Sequence, residues 1–71
     1  SEASLFEESP LPPPEARVYS VLRPDEALQM DEILEKLEEE MSSSEVFTAL
    51  FELELSGRIR QLPGKNFVRS L

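Results

Sequence analysis

Across residues 31–56 apolar and polar positions recur with a helical period. Ile33, Leu34, Leu37 and Met41 fall on one face, while Glu32, Glu35, Lys36, Glu38 and Glu39 fall on the other. This predicts a helix over residues 32–41 with Asp31 as its N-cap, and Glu32 and Lys36 stand four apart in the favourable order. Ser42-x-x-Glu45 has the form of a capping box, with Met41 and Val46 spaced as a hydrophobic staple, and predicts a further helix over 43–56. Val46, Ala49, Leu50 and Leu53 cluster on its first face, and Glu45, Thr48, Glu52 and Ser56 form its polar face. Phe47, Phe51 and Leu55 make a second apolar stripe. That extra width predicts internal packing on the first helix or the hairpin that follows, the alternative being a face left for a partner.

Upstream, Val18, Val21 and Leu22 recur at i, i+3 and i+4 and predict a two-turn helix over 15–22. Pro14 suits its first position, and Pro24 requires it to have ended. Leu28 to Met30 is too short for a helix and reads as one strand. Gly57 is the expected left-handed stop of the last helix. Alternating Arg58-Ile59-Arg60, a Pro63-Gly64 turn and Phe67 to Arg69 then predict strands over 58–62 and 66–69, with Arg58 and Arg60 opposite Ile59. Helix, strand, helix, short turn, helix and hairpin make up a winged helix-turn-helix. The fold class is α+β, mostly α, with three helices, a small antiparallel sheet and a wing. The expected core is Val18, Val21, Leu22, Ile33, Leu34, Leu37, Val46, Leu50, Leu53, Ile59 and Phe67. Residues 1–14 combine acids, Ser and four Pro and read as an acidic, Pro-rich linker to a folded domain at 15–71. Leu5, Phe6 and Leu11 could dock as a short motif, but solvated linker positions are the expected reading.

A chain of 71 residues has room for one modest core. Since it begins without Met, it reads as a domain of a longer protein. It has no Cys and no His, which removes disulfides, thiolate metal sites and the usual zinc ligands and general bases. No stretch approaches the roughly 20 apolar residues of a membrane span, and the start lacks the form of a signal peptide, so no membrane contact and a cytoplasmic location are expected. No catalytic residue, metal site or cofactor is expected, because no nucleophile stands beside a base and no glycine-rich phosphate cradle is present. Asp31, Glu35, Glu38 and Glu39 on a helix without glycine turns or carbonyl ligands read as a solvated face in preference to a cation site.

The distribution of charge says more than its total of −8. Residues 1–15 carry −4, residues 16–30 balance, residues 31–56 carry −8, and residues 57–71 carry +4. An acidic body with a basic edge opposes tight DNA binding, since phosphate neutralisation supplies most non-specific affinity. A DNA-reading helix normally presents Arg, Lys, Asn or Gln, whereas residues 43–56 contain none of these. Glu45 and Glu52 would meet phosphates with like charge, leaving Thr48 and the Ser residues as neutral contacts. Arg58, Arg60, Lys65 and Arg69 are therefore the candidate nucleic-acid contacts, weak and indifferent to sequence, to single- or double-stranded DNA. Basic residues on an edge strand also serve simply to block edge pairing. The competing class is a protein-interaction module using Phe47, Phe51, Glu38 and Glu39 against another domain or protomer of its parent.

The run LFELELSGRIRQLPGKNFVR resembles the C-terminal winged-helix domain of the DprA (Smf) family of DNA-processing proteins. Leu53-Glu54-Leu55, Gly57, Arg60, Leu62-Pro63-Gly64 and Phe67 match that family's helix, glycine, basic strand, Leu-Pro-Gly and aromatic strand. PEARVYSVL, ALQMDEIL and the acidic, Pro-rich approach are similar to it too, so the resemblance spans residues 14–69. It implies a parent acting in bacterial DNA uptake during natural transformation and in recombination. It also implies that a Rossmann-like domain elsewhere in the parent holds single-stranded DNA and helps to load the recombinase RecA, a possible partner. The present domain would then be an accessory one.

Overall fold

A computed structural model describes residues 11–70. Six elements follow one another: α1 (Pro13–Val21), β1 (Leu28–Gln29), α2 (Met30–Leu37), α3 (Ser43–Leu55), β2 (Ile59–Leu62) and β3 (Asn66–Arg69). The three strands form one antiparallel sheet in the order β1, β3, β2, so the last strand lies in the middle. Helices pack on its inner face, and the architecture is the winged helix expected from the sequence. Most of residues 1–14, including Leu5 and Phe6, lie outside the described residues.

Each boundary has a local cause. Helix α1 begins at Pro13, two residues before the expected start, because Ala16 N–H already reaches Pro12 C=O at 2.9 Å. Both Pro13 and Pro14 occupy first-turn positions where a missing N–H costs nothing. Leu11 packs against the core just ahead of it. The N-cap of α2 is Gln29 and not Asp31: Gln29 Oε1 accepts from Asp31 N–H at 2.8 Å, and Glu32 Oε1 accepts from Gln29 N–H at 3.1 Å. The strand therefore ends at Gln29, and Met30 is already helical. Drawn into this cap, Glu32 forms no ion pair with Lys36. Regular α2 ends at Leu37, before the expected Met41, where Glu38, Glu39 and Glu40 bring negative charge to the carbonyl end and the chain turns. Glu40 and Met41 N–H groups both close on Leu37 C=O at 2.9 Å.

Helix α3 starts as expected, with Ser42 Oγ accepting from Glu45 N–H at 3.2 Å and Glu45 Oε1 accepting from Ser42 N–H at 2.8 Å. It ends in a Schellman arrangement: Arg58 N–H reaches Leu53 C=O at 2.9 Å, and Gly57 N–H reaches Glu54 C=O at 3.0 Å. Gly57 adopts φ 79° to allow this. Strand β2 pairs with β3 through Ile59↔Arg69, Arg60↔Val68, Gln61↔Phe67 and Leu62↔Asn66, while β1 adds Leu28↔Phe67. The wing turn uses Pro63, then Gly64 at φ 84°, then Lys65 at φ 60°. Lys65 C=O accepts from Met30 N–H at 2.9 Å, which ties the wing to the start of α2.

The core contains Val18, Leu22, Ile33, Leu37, Val46, Leu50, Leu53, Ile59 and Phe67, all of them expected. Val21 and Leu34 are only half-buried at its margin. Met41 and Ala49 complete it. Val68 is buried as well, on the face of β3 opposite Phe67 and outside the main core cluster.

Candidate interaction surface

At about 100° per residue the two apolar stripes of α3 point in well-separated directions. Val46, Ala49, Leu50 and Leu53 are buried. Phe47, Phe51 and Leu55 are 47%, 58% and 68% exposed. The expected internal packing of Phe47 and Phe51 is therefore incorrect. The hairpin leaves α3 at Gly57 and packs on the buried side of the helix, and α1 lies along the side of Thr48 and Glu52, so among the described residues no element covers the aromatic stripe.

Phe47 and Phe51 instead form one wall of an open groove. Met30 and Leu34 of α2 form the other, with Leu50 and Phe67 at its floor. Polar groups surround it: Gln29, Asp31, Glu54, Gln61 and Lys65. Asp31 and Leu34 also line a neighbouring depression that includes Glu35 and Glu38. Glu38 thus stands beside the groove, whereas Glu39 is exposed in the turn and lines neither hollow. Among the described residues the ion pair is Arg23–Asp25, at 3.1 Å, in the connection between α1 and β1 and outside the lining of the groove. The hydrogen bond from Arg23 holds the Asp25 carboxyl below its ordinary range, with the guanidinium charge adding to the effect. The acids of α2 and α3 have no such partner, and among the described residues no three acidic side chains gather closely enough to hold a metal ion.

The four basic residues after Gly57 do not form one strip. Arg58, Arg60 and Lys65 are exposed. Arg60 lies across from Val68, on the sheet face opposite Ile59 and Phe67. Lys65 stands at the wing turn on the rim of the groove. Arg69 is half-buried and turned onto α1: its Nε and Nη2 donate to Tyr19 C=O at 3.1 and 2.8 Å, and its guanidinium lies 4.1 Å from the centre of the Tyr19 ring. A cation at the last turn of a helix suits the dipole, and stacking on the ring adds to it. Arg69 is occupied in holding α1 to the sheet. Its partner lies 50 residues away, so sequence order gave no sign of the contact.

The family model of the DprA winged helix domain matches residues 3–65, nearly the whole chain. The chain belongs to that family. Its winged-helix fold and its kinship to DprA-like proteins agree with what the Gly-Arg-Ile-Arg-x-Leu-Pro-Gly run implied. No curated protein and no solved structure matches the chain. Among the described residues, no helix is long and apolar enough to cross a membrane. The groove residues Met30, Leu34 and Asp31 were not legible as a site. The sequence pattern gives each a strand, core or cap role, and only the way α2 leans on α3 turns them toward Phe47 and Phe51.

Proposed function

We propose that this chain is a non-catalytic accessory domain of a DprA-like DNA-processing protein acting in DNA uptake and recombination, and that it works chiefly by contacting protein. The observation that carries this reading is the exposed line of Phe47, Phe51 and Leu55 on α3, the helix that would otherwise read DNA. Large apolar side chains exposed in a continuous stripe mark an interaction site, and a helix without Lys or Arg offers no cation to a phosphate backbone. Another domain or protomer of the parent, or a recombinase such as RecA, would be the covering partner. A second, weaker role rests on Arg58, Arg60 and Lys65, which are exposed, form no ion pair among the described residues and can touch DNA phosphates independently of sequence.

Titrating the 71-residue chain with single- and double-stranded oligonucleotides, followed by amide NMR, tests the division of labour. The expected result is small, salt-sensitive changes confined to Arg58, Arg60 and Lys65. Tight, sequence-selective duplex binding centred on Thr48 would overturn the reading.

A further inference from the structure

Taking the groove as a protein-docking site, we propose that its occupant is an amphipathic helix whose polar flanks are basic. Shape argues for a helix. Phe47, Phe51 and Leu55 are spaced at i, i+4 and i+8 on α3 and so run along about 12 Å of its axis. The groove runs between Phe47 and Phe51 on one side and Met30 and Leu34 on the other, and Leu55 continues the exposed stripe one turn beyond its lining. A straight apolar trough of this kind suits a helix presenting anchors at i, i+3 or i+4, and i+7.

An extended strand would add to a free sheet edge, and those edges are the outer sides of β1 and β2. The floor of the trough is instead a face, formed by Leu50 of α3 and Phe67 of the doubly paired β3, which offers side chains and no free backbone groups.

Charge selects the flanks. Asp31 and Glu54 stand on the rim and Glu35 and Glu38 beside it, against Lys65 as the one cation on the rim. Residues 31–56 carry a net −8, and none of these acids is neutralised by an ion pair among the described residues. Lys or Arg on the incoming helix would meet several carboxylates around a desolvating apolar centre, where complementary charge favours encounter and register. An acidic helix, a second copy of this acidic face or a nucleic acid would each meet like charge.

The test uses the 71-residue chain and three synthetic peptides of about 15 residues, long enough to form a helix on binding. One is a leucine–lysine peptide with leucines at i, i+3, i+4 and i+7. The second has the same leucines with glutamate in place of lysine. The third keeps the lysines and replaces every leucine with serine. Amide NMR titrations at about 150 mM salt, where long-range attraction is screened, locate and rank binding.

The leucine–lysine peptide is expected to saturate, with shifts concentrated at Met30, Leu34, Phe47, Phe51 and Leu55. Its affinity should fall about tenfold in F47A/F51A and again in D31N/E54Q. Both double variants alter exposed side chains, and unchanged melting curves would verify that they fold.

If the leucine–glutamate peptide binds the groove equally well, the basic partner is wrong while the protein-docking role survives. If the lysine–serine peptide binds as tightly as the leucine–lysine one, the groove plays no part and the proposal fails. If no peptide binds and DNA shifts the same residues, the docking role fails with it.

Discussion

Gly57 and Gly64 hold φ 79° and 84°, in different surroundings. An added Cβ at 57 would meet nothing within 4 Å, so Gly57→Ala should cost only the backbone strain of a left-handed alanine, about 1–2 kcal/mol. At 64 the Cβ would approach Asn66 Nδ2 at 3.1 Å, and that amide donates to Pro63 C=O at 2.8 Å. Gly64→Ala should therefore cost about 1 kcal/mol more, the worth of the displaced hydrogen bond. Urea melts of both variants measure the difference, and equal losses would mean that Asn66 gives way freely. These two positions were legible because the identity of glycine announces the sign of φ. Lys65 at φ 60° carries no such label. The use of Arg69 was equally hidden: its charge is visible in the sequence, but its direction depends on Tyr19. Arg69→Ala should cost about 1–3 kcal/mol through the lost charged hydrogen bonds to α1. If denaturant melts show Arg69→Ala as stable as the parent chain, the Arg69 contact is not what anchors α1.

On the scale of elements, the strongest signals were those in which local chemistry and tertiary need agree. The Ser42/Glu45 box, the Gly57 stop and the Pro63-Gly64 turn placed α3, β2 and β3 to within one residue. Helix α2 was less legible at both ends. Gln29 rarely announces a cap, yet here its side chain reaches Asp31 N–H, and a run of three Glu weakens the other end in a way that periodicity alone does not report. In α3 the period gave both stripes correctly but not which of them faces inward only, because that depends on where α1 and the hairpin return. The consequence is a contrast within one helix. Leu53, fully buried, should cost about 2–5 kcal/mol when cut to alanine, since a small core cannot close the cavity. Phe51→Ala, on the exposed stripe, should change stability by no more than about 0.5 kcal/mol. Chemical denaturation of the two variants checks this. A large loss at Phe51 would mean that the stripe is structural and weaken the case for a docking face.

For the molecule as a whole, the distribution of charge sets what can approach from each side. The acidic helices and the three exposed bases of the hairpin oppose each other in any encounter with a polyanion. With Arg69 engaged by Tyr19, three cations remain to displace counterions, so log affinity should fall with log salt with a slope of about −3 or shallower. Charge reversal at Arg58 and Arg60 should abolish binding, because Lys65 alone cannot offset the repulsion of the body. Thr48→Ala should leave binding unchanged, since no base-edge contact is expected from α3. Neutralising Glu45 and Glu52 should strengthen it. The substitution Glu45→Gln suits this purpose, as glutamine also serves at the third position of a capping box and so preserves the start of α3. Fluorescence anisotropy with a labelled oligonucleotide across a salt series measures all of these. A slope much steeper than −3, or binding that survives loss of Arg58 and Arg60, would require a cationic surface that the hairpin does not supply.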